Sequence, residues 1–166
     1  MTFDPDTLDL AVRVLDANRA AGRMIVTAES CTGGLIAGAL TDVPGSSEAV
    51  FGGYITYDNR AKIEMIGVPE DLIERWGAVS ESVAEAMAEG AKETAGVEVS
   101  IAVTGIAGPG GGTEGKPVGL VHFACTTAGG TTHLVKQFGD IGRQQVREAT
   151  VIAALDLVLD CLGVKA

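Results

Sequence analysis

Strand spacing constrains this chain more than any other feature. The apolar, β-branched runs 118–127 and 131–138 are separated only by Ala128-Gly129-Gly130. A connection that short predicts an antiparallel hairpin. The earlier runs, 24–28, 49–57 and 97–103, are separated by segments with helical spacing. Crossovers of that kind join parallel strands. A chain carrying both kinds of connection builds a mixed sheet with helices over its faces.

The helical segments follow from periodicity and stop signals. Within 5–22, Leu8, Leu10, Ala11, Val14, Leu15 and Ala20 recur at helical spacing and Gly22 is a stop. A second helix is predicted over Thr32–Thr41, before the turn residues Pro44-Gly45-Ser46-Ser47. Asn59–Met65 follows, ended by Gly67-Val68-Pro69, then a helical turn over Asp71–Trp76. In Ser82–Thr94, Ser82 and Glu85 fit a capping box and Gly96 a C-terminal stop. Gln144–Leu162 closes the chain. The predicted order, α-β-α-β-α-α-β-β-β-α, makes a three-layer α/β/α sandwich with a mixed, mostly parallel five-stranded sheet. With no internal repeat or linker, residues 1–166 read as one domain.

Charge and composition remove several function classes. Net charge is −10 and the 12 Lys and Arg are scattered, so no basic face is predicted to meet nucleic acid. No apolar run approaches the ~20 residues a membrane span needs. The acidic start, Met1 to Asp6, lacks the pattern of a signal peptide, and a cytoplasmic protein is expected. Cys31, Cys125 and Cys161 are widely spaced, which is neither a disulfide framework nor a zinc pattern. Cys125 and Cys161 read as buried thiols. No metal and no cofactor are expected. The two histidines, His122 and His133, lie in strand-like runs and offer little to a Ser-His-Asp triad.

Chemistry concentrates in "TAESCTGGLIAG", residues 27–38. A strand, a tight polar turn and a helix present a side chain beside the free N–H groups of the helix's first turn. Ser30 then reads either as a helix cap or as a nucleophile. Gly33 and Gly34 would leave room for a substrate. Cys31, Thr32, Gly33 and Gly34 would line the site, their N–H groups receiving an oxyanion. Cys31 is an alternative nucleophile, because a helix N-terminus lowers a thiol pKa. A serine needs a base, and "YITYDNRAK", residues 54–62, offers Lys62 with Tyr57 nearby, which on spacing alone read more readily as a surface lysine and a core-edge tyrosine. Burial would supply the neutral amine.

The loop "TGIAGPGGGTEGKPVG", residues 104–119, matches the opening of a P-loop. It is not one: Pro117 stands where a magnesium-binding Ser or Thr belongs, and a strand follows instead of a helix. What remains is a backbone-rich loop suited to a phosphate or sugar, with Thr104, Gly105, Gly108, Gly110 and Gly111 as candidate contacts. Arg143 and Arg147 share a helix face four residues apart and are candidate anion ligands.

Four stretches taken together, 28–47, 54–68, 77–91 and 103–119, resemble the C-terminal domain of the CinA family, in order and over about residues 8–162. The resemblance implies a stand-alone nicotinamide-nucleotide amidase. Such an enzyme hydrolyses the carboxamide of nicotinamide mononucleotide to nicotinate mononucleotide and ammonia, in pyridine-nucleotide recycling. It places the nucleophile on Ser30, the base on Lys62 and an assisting tyrosine on Tyr57. A small-molecule substrate and a homo-oligomer are expected, with neither nucleic acid nor membrane as partner. Two departures stand out: Gly115 replaces a common acidic residue, and Ile141-Gly142 are inserted before Arg143. A non-catalytic nucleotide-binding regulatory domain, linked to competence or DNA damage, is the rival from another class.

Overall fold

The order of strands in the sheet is β2-β1-β3-β4-β5, seen in a computed structural model that describes residues 3–165. Met1, Thr2 and Ala166, at the ends of the expected single domain, lie outside the described residues. In chain order the elements are α1 (Pro5–Ala20), β1 (Ile25–Glu29), α2 (Leu35–Thr41), β2 (Val50–Ile55), α3 (Asn59–Ile66), α4 (Glu70–Trp76), α5 (Glu81–Ala95), β3 (Val99–Gly105), β4 (Leu120–Thr127), β5 (Gly130–Gln137) and α6 (Arg143–Cys161). A 3-10 turn, Ser46–Glu48, precedes β2.

β1 pairs parallel with β2 and with β3. β4 runs antiparallel to both β3 and β5. Only β4 therefore runs against the others, as the contrast between long crossovers and one tight hairpin requires. The chain makes a three-layer α/β/α sandwich. On one face Ile25, Ile101, Val103, Phe123 and Cys125 meet α1, α2 and α6. On the other, Val26, Ala28, Ala102 and Ala124 meet α3, α4 and α5. Alternate residues of each strand divide between the faces because successive Cβ atoms point oppositely. Each of Ile25, Ile101 and Phe123 is fully buried, worth about 1.5–3 kcal/mol apiece.

The parallel strands β1, β2 and β3 all end at the same edge of the sheet. That edge gathers the turn after β1, the start of α3, the long loop after β3 and the start of α6. Ligand sites of open α/β sheets form at this edge. One glycine sets how closely α3 approaches: a Cβ on Gly90 of α5 would overlap the Ile66 carbonyl oxygen at the end of α3.

Several boundaries differ from expectation. Helix α2 begins at Leu35, not Thr32. Gly33 and Gly34 have φ +60° and +100°, and no helix runs through such residues. Helix α5 is capped by Ser80, whose hydroxyl accepts the Val83 N–H at 3.4 Å, so Ser82 falls inside the first turn. Gly130 already belongs to β5, paired with Thr127. Among the described residues no helix is long and apolar enough to cross a membrane.

Candidate active site

Strand alternation decides which neighbours in the opening motif meet. Val26 and Ala28 face α5, and Ile25 faces α2. The Ser30 N–H continues the ladder by donating to the Val103 carbonyl at 3.1 Å. Ser30 therefore shares the face of Val26 and Ala28, where Lys62 of α3 arrives. Cys31 shares the opposite face and is part of the core beneath α2 and α6. Successive side chains here diverge as on a strand, not by the 100° of a helix, because α2 has not begun.

Lys62 is 1% exposed. Its Nζ lies 3.2 Å from Ser30 Oγ, 2.8 Å from the Thr56 carbonyl oxygen and 3.3 Å from the Tyr57 carbonyl oxygen. Burial pushes its pKa below the ordinary value of 10.5, against the upward pull of Asp58 and Cys31. A neutral amine has two N–H groups and one lone pair. The two carbonyls, which only accept, match the two N–H groups, and the lone pair is left for the Ser30 hydroxyl. α3 delivers this amine because Asp58 caps the helix, accepting the Arg60 N–H at 2.8 Å.

Ser30 does not cap α2. The cap position is Gly34, without a side-chain bond, and the exposed N–H groups are taken by Glu29. Its carboxylate accepts from Gly34 N–H at 3.0 Å, Ile36 N–H at 3.0 Å and Ala37 N–H at 2.8 Å. It also accepts from the hydroxyls of Thr32 at 2.6 Å and Thr27 at 3.0 Å. Sequence reasoning missed Glu29. The available signal was an acidic residue closing an otherwise apolar strand at the start of a glycine turn. The expected supply of free donors from Cys31 to Gly34 shrinks accordingly. Gly33 and Gly34, expected to leave room for a substrate, also have a backbone role. Their left-handed backbone is what folds the turn around Glu29, and a Cβ on Gly34 would sit 3.1 Å from Ile55 Cδ1.

Cys31 is 5% exposed. Its pKa is pushed up to about 11, first by burial and then by the Glu29 charge, over the opposing backbone N–H groups and Arg147. The helix N-terminus does not activate this thiol as expected, since Glu29 already occupies it.

The remaining candidates divide into two groups. Arg147 holds the turn from behind, its Nε donating to the Cys31 carbonyl at 3.1 Å and its Nη2 to the Thr32 carbonyl at 3.0 Å. Arg143 lies at the rim. Its Nη1 donates to the Gly108 carbonyl at 2.9 Å and its Nη2 to the Tyr57 hydroxyl at 3.1 Å. Tyr57 is 60% exposed; its phenol meets Arg143, and Lys62 meets only its main-chain carbonyl. The Thr104 hydroxyl donates to the Ala78 carbonyl at 2.8 Å, and Gly105 ends β3 against Val121. Gly110 and Gly111 are exposed on the loop, with no hydrogen bond to Ser30 or Lys62. His122 Nδ1 and His133 Nε2 lie 2.9 Å apart across β4 and β5, paired with each other instead of with Ser30. Among the described residues no group of three or more potential metal ligands exists.

The profile of the family described as CinA C-terminal domain matches residues 7–162. A CinA-like protein of Synechococcus sp. (strain RCC307) is 48% identical over 157 residues, covering 94% of this chain and 38% of that protein. A putative competence-damage inducible protein of Symbiobacterium thermophilum is 48% identical over 165 residues, covering 93% and 38%. The chain thus spans well under half the length of these curated relatives. Among solved structures, the competence/damage inducible protein CihA from Agrobacterium tumefaciens superposes with a TM-score of 0.94 at 48% identity, over 98% of this chain and 99% of that one. A CinA-superfamily protein from Klebsiella pneumoniae 700603 gives 0.90 at 32% identity, over 95% and 98%.

Proposed function

This chain belongs to the CinA C-terminal domain family, and we propose that it is a serine–lysine amidase acting on the carboxamide of nicotinamide mononucleotide. The carrying observation is the buried Lys62 amine 3.2 Å from Ser30 Oγ, with two main-chain carbonyls on its other sides. The choice of substrate follows the family resemblance of the sequence. The choice of nucleophile and base follows from this contact and from the depressed lysine pKa.

In the proposed reaction neutral Lys62 takes the Ser30 hydroxyl proton as Oγ attacks the carboxamide carbon. The tetrahedral intermediate collapses, the C–N bond breaks, and Lys62 returns the proton to the departing ammonia. The acyl-enzyme is then hydrolysed by a water that Lys62 deprotonates, releasing nicotinate mononucleotide and Ser30. Arg143, with Tyr57 at the exposed rim, is the group we assign to the substrate phosphate. Arg147 supports the turn instead, since two of its donors are committed to the Cys31 and Thr32 carbonyls.

The test is ammonia release from nicotinamide mononucleotide by the purified protein. Wild type is expected to release it and Ser30→Ala is not. A wild type that binds the mononucleotide without turnover would replace this reading with a non-catalytic nucleotide-binding domain. Activity lost in Cys31→Ala but kept in Ser30→Ala would move the chemistry to the thiol.

A further inference from the structure

The N–H groups of the turn after β1 can be accounted for one by one. Ser30 N–H goes to the Val103 carbonyl, Gly33 N–H to the Ser30 carbonyl, and Leu35 N–H to the Thr32 carbonyl. Gly34, Ile36 and Ala37 N–H go to Glu29. Among the described residues the Cys31 and Thr32 N–H groups have no oxygen acceptor.

We propose that Glu29 is a positioning residue of the site: its buried carboxylate takes the N-terminal donors of α2 and fixes the turn that carries Ser30. Glu29 is 0% exposed and accepts five hydrogen bonds on two oxygens. All five donors match an acceptor-only carboxylate, and a helix N-terminus favours an anion. Alternation along β1 puts Glu29 on the face opposite Ser30, so it never meets substrate. It acts through the backbone between them. The assignment rests on Ser30 being the nucleophile, but not on the identity of the amide.

Glu29→Gln is nearly isosteric and sets an NH2 group against a ring of donors. Three measurements test it: kcat and KM for ammonia release, the rate at which a fluorophosphonate phosphonylates Ser30 with loss of fluoride, and hydrogen exchange at the Gly34, Ile36 and Ala37 amides. In Glu29→Gln, kcat and labelling rate should each fall at least about tenfold, with KM within about twofold of wild type. Exchange at the three amides should accelerate at least about tenfold. The pH midpoint of labelling should stay put, because the Lys62 surroundings are untouched. Glu29→Asp, which keeps the charge, should recover part of the rate. If Glu29→Gln does not fold, Thr32→Val removes one donor and should slow labelling by about threefold or more. Labelling at the wild-type rate in Glu29→Gln or Thr32→Val, or unchanged exchange at the three amides, overturns the assignment. A wild type that is labelled at Ser30 but releases no ammonia refutes only the substrate, and Glu29 is then judged on labelling. A wild type that resists labelling refutes both, since no nucleophile is being positioned.

Discussion

Lys62 and Glu29 are both among the largest fully buried side chains, yet their surroundings are opposite in kind. Glu29 meets five donors and no competing acceptor, so both of its oxygens are committed. Lys62 meets two carbonyls and one hydroxyl, a set that suits an ammonium or a neutral amine. Surrounding a buried group completely makes it a structural fixture. Leaving one partner that both donates and accepts makes it a base. In the proposed mechanism the protein builds one of each, on opposite faces of the sheet.

The sharpest way to break this contrast is through rate. Ser30→Ala should cost about a thousandfold or more in ammonia release, and Lys62→Met about 10²–10⁴-fold, both read by steady-state kinetics. Stability should then separate the two buried groups by size. Glu29→Leu orphans several buried donors and should destabilise by about 3 kcal/mol or more in urea unfolding. Lys62→Met relieves the desolvation of an amine but orphans the Thr56 and Tyr57 carbonyls, so its net change should stay within about 2 kcal/mol. Equal costs would erase the contrast between the two sites.

Titration sharpens it further. Activity should rise with pH through the folded-state pKa of Lys62, which lies below 10.5. From that pKa up to 10.5 the unfolded chain holds the additional proton. Stability attributable to Lys62 therefore increases with pH across this window, and the burial penalty applies in full below it. Lys62→Met should remove this contribution from stability-against-pH curves measured by chemical unfolding. A smaller effect is expected at Gly34→Ala, where φ is +100° and Ile55 Cδ1 stands 3.1 Å from the new Cβ. A cost of about 1–3 kcal/mol should appear as a lowered Tm. Smallest should be Cys31→Ala, whose thiol pKa near 11 leaves it unreactive: kcat should change by less than about tenfold.

Periodicity and connection length made the architecture legible in the sequence, because alternation and helical spacing are properties of neighbours. Ser30, Lys62 and Tyr57 stood out for the same reason, as polar residues just past apolar runs. Glu29 did not. An acid in a strand reads as a solvent-facing position, and only the arrival of α2 shows that its partners are main-chain N–H groups five to eight residues later. The start of α2 was misplaced on related grounds: Gly33-Gly34 permits a helix or a left-handed turn, and the buried carboxylate selects the turn. Arg147 looked like a twin of Arg143, yet the two diverge because one points to the carbonyls behind Ser30 and the other to the rim.

The amine of Lys62 is held by the carbonyls of residues 56 and 57, not by their side chains. Substitution at either position thus leaves the acceptors of that contact in place so long as the backbone keeps its course. In the proposed mechanism the side chain of Tyr57 can therefore change the rim without displacing the amine of Lys62 from Ser30.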